Sequence, residues 1–167
     1  MRVLGVDPGT LRMGYGVIEE AAEGAHCLAW GVLHESASSP LHQRLHGLHK
    51  QLQSIAEEWQ PDEVAVEEPF VSLGRGMRTA LSLAQSQGIA LIVAAEHSLD
   101  VHSYAPKQVK QMVTSYGGSS KVQVQEAVSL LLGLKMVPEP HDAADALAVA
   151  LCHLWHRAAA RLVSGGE

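Results

Sequence analysis

Cysteine is almost missing from this chain: Cys27 and Cys152 stand far apart inside apolar patterns. Two such residues exclude a disulfide framework and read as reduced core thiols of a reducing cytoplasm. No apolar run is long enough to span a bilayer, so no membrane partner is expected. No basic leader, hydrophobic stretch or cleavage site precedes the first strand-like residues, which again points to the cytoplasm. Repeats, low-complexity tracts and domain-dividing linkers are missing too. The ten histidines are scattered, without repeated metal-ligand spacing, and read mostly as surface or helix-flank residues.

What is present is an ordinary globular balance, 47% hydrophobic against 18% charged, which leaves little room for disorder. At 167 residues the chain can bury roughly 70% of its unfolded surface in one core. A single domain over residues 1–160 with a tail at 161–167 is expected. The net charge of −6 opposes a nucleic-acid partner. Its distribution does not: between Pro69 and Pro138 stand Arg75, Arg78, Lys107, Lys110, Lys121 and Lys135, against only Glu96, Asp100 and Glu126. A basic face beside an acidic body is compatible with phosphate binding, although helix-flank lysines are commonly just solvated.

Val3-Leu4-Gly5-Val6 is a short apolar run of the kind buried on both faces of a sheet. It ends at Asp7, and Pro8-Gly9 turns the chain. Asp7 then stands at the end of a central strand, though a turn aspartate bonded to its own backbone would look the same. Tyr15 to Ile18 reads as a second strand and Cys27 to Leu33 as a third, so the first three form a meander. From Leu41 the period changes: Leu45, Leu48, Leu52, Ile55 and Trp59 follow at spacings of three and four, a packing helix stopped by Pro61. Glu63 to Glu67 is a fourth strand, again ending in acid. Ala80, Leu81, Ala84, Gly88, Leu91, Ile92 and Ala95 form the main stripe of a helix that is apolar around much of its circumference. Such an excess implies burial on two sides, as in a dimer.

Asp100 to Tyr104 reads as a fifth strand, and Pro106 opens a short helix carrying Lys107 and Lys110. Ser120 with Gln123 makes a capping box for the next helix, which places Lys121 in its first turn. The helix dipole disfavours a cation there, so a neighbouring anion explains it better than helix stability does. The last helix runs from His141 to about Arg161, with Asp142 and Asp145 on one face of its first turns. Capping accounts for Asp142, but less well for Asp145 among alanines. Strands followed by β-α-β-α alternation give a mixed sheet with helices on its faces.

Asp7, Glu67, Asp142 and Asp145 thus stand out. If they converge, each pair at about 4 Å costs roughly 4 kcal/mol at an effective dielectric of 20, and protons or cations must offset it. Hard oxygen donors without His or Cys select Mg²⁺ or Mn²⁺. Two such ions about 3.5–4 Å apart can activate water and stabilise the leaving oxygen of a phosphodiester.

The ordered blocks G-V-D-P-G-T…G-Y-G-V-I, V-A-V-E-E-P-F, Y-A-P-K-Q-V-K-Q-M-V, K-V-Q-V-Q and D-A-A-D-A-L-A-V-A resemble the RuvC Holliday-junction endonucleases of bacteria, from about residue 2 to residue 155. The resemblance implies an α/β, ribonuclease-H-like fold: a mixed five-stranded sheet, three antiparallel strands then two parallel, flanked by helices. It implies a homodimer that nicks four-way DNA junctions in symmetric pairs during recombination and repair, leaving 5′-phosphate and 3′-hydroxyl ends. It makes Asp7, Glu67, Asp142 and Asp145 the metal-binding catalytic acids of an Mg²⁺-dependent endodeoxyribonuclease, with two Mg²⁺ per subunit and Mn²⁺ as a substitute. Lys110 and Lys121 fall where the family places lysines near the scissile strand, and Phe70 matches an aromatic that stacks on junction bases. RuvA and RuvB, a branch-migration machine, are the implied working partners. The segment from Val71 to Met77 does not align cleanly with the family, and Arg75, Arg78 and Lys107 enter as phosphate contacts on charge alone.

Two other readings compete. Actin, heat-shock and sugar-kinase ATPases carry a similar Asp-x-Gly-Thr hairpin, but they need two such domains and this chain holds one. A non-catalytic DNA-binding relative need not keep all four acids.

Overall fold

The computed structural model describes residues 1–22, 24–69 and 77–164. Ten elements follow in order: β1 (Arg2–Asp7), β2 (Arg12–Ala21), β3 (Gly24–His34), α1 (Leu41–Trp59), β4 (Glu63–Glu67), α2 (Met77–Glu96), β5 (Asp100–Tyr104), α3 (Pro106–Thr114), α4 (Lys121–Leu131) and α5 (His141–Ser164). The strands form one sheet in the order β3-β2-β1-β4-β5. The first three pair antiparallel; β4 lies parallel to β1, and β5 parallel to β4. This is the mixed sheet expected from the sequence.

Period-two alternation divides the sheet between two cores. Leu4, Val6, Val64 and Val66 point to the face covered by α1 and α2, where they pack with Leu48, Leu52, Ile89 and Val93. Val3, Ala65 and Tyr104 point to the other face, against α3, α4 and the long helix α5. Both faces of β1 and β4 are therefore buried, which is why these strands read as continuous apolar runs.

Glycine lets α5 lie directly on the strands. A Cβ at Gly5 would collide with the Ala146 carbonyl, and one at Gly14 with the Asp142 carbonyl. At Gly16 it would meet Leu147 Cδ2 at 2.6 Å. These glycines serve helix-to-sheet contact rather than a turn. Because β1 and β2 are bare at these points, the start of α5 comes down beside Asp7, whose register partner is Gly14.

Several local expectations hold. Ser120 Oγ accepts from the Gln123 amide and the Gln123 side chain accepts from the Ser120 amide, a complete capping box for α4. Cys27 and Cys152 are free thiols, the latter buried, and burial pushes them up to about 11 and about 12. Helix α1 ends at Gln60, left-handed at φ 44°, one residue before Pro61. The stripe on α2 needs correction. Ser86, Ile89, Ala90, Val93 and Ala94 are buried, whereas Leu81, Leu91 and Ile92 of the expected stripe are exposed at 58%, 45% and 53%. Where apolar residues line both sides of a helix, their spacing cannot choose which side meets the sheet.

Candidate active site

The same alternation that builds the core aims two acids at α5. Asp7 ends β1 and Glu67 ends β4; with Val6 opposite Val66 in parallel register, the two carboxylates leave adjacent strands at one edge of the sheet, on one face. Asp142 and Asp145 face them from the first turns of α5. All four line one cleft of about 430 Å³ together with Lys110, Lys121 and Glu68. Pro8 also lines it, and the turn behind it is anchored from α2, where the buried Ser86 hydroxyl donates to the Gly9 carbonyl at 2.8 Å.

Electrostatics makes this cleft unusual. Burial pushes Asp7 well above the ordinary carboxylate range, and the charges of Glu67, Asp145 and Asp142 add to it. Burial, then Asp145, pushes Glu67 up to about 7. Asp145 is raised as well, chiefly by burial and further by Asp142. Two cations act the other way: Lys121 lowers Asp7, Glu67 and Asp145, and Lys110 lowers Glu67 and Asp145. Lys121 Nζ stands 3.5 Å from Asp145 Oδ2, so the anion that its place at a helix start called for is Asp145. Carboxylates held together against their own repulsion, with no His or Cys among the described cleft-lining residues, are a donor set for hard divalent cations. Asp7, Glu67, Asp142 and Asp145 could hold such ions, and the arrangement suits hydrolysis at a phosphate.

The other expected contacts divide. Lys110 and Lys121 line the cleft. Lys107, on α3, and Arg78, on α2, are exposed and are not among its lining residues. Phe70, Arg75 and most of the segment from Val71 to Met77 lie outside the described residues. Two further charged residues beside the four acids carried no role in the sequence reading. Glu68 follows Glu67 into the cleft, and Arg12 Nε lies 3.7 Å from Asp142 Oδ2. Arg12 is signalled only by its place at the start of β2, directly after the Asp7 turn.

A β3-β2-β1-β4-β5 sheet with acids at the ends of β1 and β4 and on the final helix defines the class: a ribonuclease-H-like nuclease fold. The family model of crossover junction endodeoxyribonuclease RuvC matches residues 3–153. A protein of that name from Dehalococcoides mccartyi is 48% identical over 167 residues, covering 100% of both chains. Another from Thermomicrobium roseum is 46% identical over 97% of this chain and 98% of its own. Among solved structures, the Thermus thermophilus RuvC in complex with a Holliday junction substrate superposes with a TM-score of 0.88, at 34% identity, covering 96% of each chain. The chain belongs to the RuvC family.

Proposed function

We propose that this protein is a structure-specific endonuclease that resolves four-way DNA junctions by paired symmetric nicks, in recombination and repair. The observation that carries the reading is the convergence of four carboxylates, three of them raised by burial, in a cleft lined by two lysines. Full-length likeness to relatives named as crossover junction endodeoxyribonucleases supports it, as does the junction-bound Thermus thermophilus relative.

In this reading Asp7, Glu67, Asp142 and Asp145 are the catalytic acids and hold two Mg²⁺ ions, with Mn²⁺ as a substitute. Those ions, when bound, supply the charge that acidifies an attacking water and stabilises the departing 3′ oxygen, giving 5′-phosphate and 3′-hydroxyl ends. The chain's own residues do the rest. Ends of adjacent strands fix Asp7 and Glu67, so no ordering cost falls on them when a cation arrives. Lys121 and Lys110 offset part of the rise in proton affinity that burial imposes on Glu67 and Asp145. On substrate, both ammonium groups stabilise the charge that builds on the phosphate. Arg12 holds Asp142 in the meantime.

Lys107 and Arg78 are taken as contacts to the DNA backbone outside the cleft. The protein is read as a cytoplasmic single domain over residues 1–160 that works as a homodimer, beside RuvA and RuvB. The exposed face of α2, with Leu81, Leu91 and Ile92, supports the dimer, since apolar side chains grouped on one helix face call for a cover. Among the described residues no helix is long and apolar enough to cross a membrane.

The test is cleavage of a synthetic four-way junction beside a linear duplex of the same sequence. Paired nicks are expected on the junction alone, only with a divalent cation, and are lost in Asp7→Asn while junction binding persists. Cleavage by Asp7→Asn, or cleavage in chelator, would remove the proposal.

A further inference from the structure

Helix α5 and strand β4 each carry polar groups at both ends. Glu67 faces the acid cleft; Glu63, at the other end of the same strand and on the same face, lies about 13 Å away. There it is buried, at 7% exposure, and meets His153, three turns beyond Asp142 on α5. The His153 Nε2 to Glu63 Oε2 distance is 2.5 Å. His102, from the edge strand β5, brings its own Nε2 to 3.3 Å of the same oxygen. The two imidazoles stack with centroids 4.5 Å apart.

This grouping is more than a buried ion pair. The three ligand atoms lie within 4.8 Å of one another. His102 Nε2 is buried yet makes no hydrogen bond. A buried imidazole nitrogen that lies 3.3 Å from a carboxylate oxygen without a hydrogen bond to it is accounted for by a cation held between them. On the far side, the His153 Nδ1 to Tyr104 hydroxyl distance is 2.7 Å. With Nδ1 protonated and donating to the Tyr104 hydroxyl, that outer hydrogen bond orients the ring and leaves the Nε2 lone pair for an ion. Arg157 Nη2 pairs with Glu63 Oε1 at 3.1 Å, while Oε2 faces the two imidazoles. A tetrahedral ion about 2.1 Å from each ligand sets edges of about 3.4 Å between them. The His102 edge has that length already, and the His153 edge needs to open by about 1 Å. His102 is 38% exposed on the sheet's edge strand, which gives an ion its way in.

We infer that Glu63, His102 and His153 form a second metal site, of the two-histidine, one-carboxylate type that takes Zn²⁺, tying β4 and β5 to the far end of α5 independently of the acid cleft. Two imidazoles select a borderline-soft ion that the all-oxygen cleft does not prefer.

The experiment titrates Zn²⁺ against a chromogenic chelator, using full-length protein stripped of metal and then held in excess Mg²⁺. Wild type and Asp7→Asn are each expected to take one tight Zn²⁺. His102→Gln and Glu63→Gln are expected to weaken that binding at least ~100-fold. His26→Gln, an exposed histidine elsewhere, is expected to leave it unchanged. Melting curves in chelator establish that each variant folds. Should either site variant fail to fold, Co²⁺ added to wild type decides alone. Intense visible bands of a four-coordinate ion, without thiolate charge transfer, are expected there. Tight Zn²⁺ retained by folded His102→Gln, its loss in Asp7→Asn, or only weak six-coordinate Co²⁺ bands would overturn the assignment.

Discussion

Replacing Glu67 by Gln should stabilise the metal-free protein while abolishing its activity. The carboxyl of Glu67 sits at about 7, against an ordinary 4.5, with burial as the first cause and Asp145 as the second. A carboxyl whose folded-state value is raised binds its proton more tightly in the native state. Stability is therefore full below the unfolded value and is lost as pH rises from about 4.5 through about 7. By pH 8 the cost approaches 3 kcal/mol, taking about 1.4 kcal/mol per unit. Glutamine keeps the shape and carries no charge, so Glu67→Gln should recover much of that, less what Lys110 and Lys121 lose as partners. For a domain of this size the gain is on the order of 5 °C in Tm. The assay is thermal melting of both proteins in chelator at pH 8 and pH 5. A gain at pH 8 that shrinks to under about 1 kcal/mol at pH 5 is expected. Added Mg²⁺ should then stabilise wild type more than the variant. A variant that is less stable at pH 8, or a difference that ignores pH, would refute the reasoning.

Lys121→Ala removes the charge that lowers Asp7, Glu67 and Asp145, so the acid limb of the cleavage pH profile should move to higher pH; an unmoved limb would contradict this. Gly5→Ala drives a methyl into the Ala146 carbonyl, and urea melts should show a loss of about 1–3 kcal/mol. Gly16→Ala should cost less, because its closest contact is the flexible end of Leu147. Gly14→Ala pushes directly on the Asp142 backbone, and junction cutting should fall by ~100-fold for a displacement near 1 Å. Leu91→Glu with Ile92→Glu places two charges on the exposed face of α2; if that face carries the proposed dimer, sedimentation should report a dimer for wild type and a monomer for the variant.

The sequence pointed to the acids that share the candidate cleft better than it disclosed the packing around them. Asp7 and Glu67 were legible because each closes a short apolar strand, and a strand's end is where a buried sheet meets solvent. Asp145 was legible because capping does not explain an acid one turn into an alanine-rich helix. The glycines of β1 and β2 were harder to read. Their purpose is the approach of α5, from more than a hundred residues further on, and no local pattern carries that distance. The wrong stripe on α2 has a similar origin, since its exposed side is as apolar as its buried one. Glu63, His102 and His153 were missed as a group because they lie on three separate elements. The alternation Glu63, Ala65, Glu67, which places both glutamates on the α5 face, was the available signal. A lone His153 between Cys152 and Leu154 was the other.

The central claim is that Asp7 anchors a metal centre shared with Glu67, Asp142 and Asp145. Anomalous diffraction from Mn²⁺-soaked crystals at pH 8 tests it most directly. The account predicts manganese peaks inside the cleft at bonding distance, about 2.1 Å, from Asp7 and from the other three carboxylates. Manganese bound elsewhere, or bound in the cleft without Asp7 as a ligand, would contradict it.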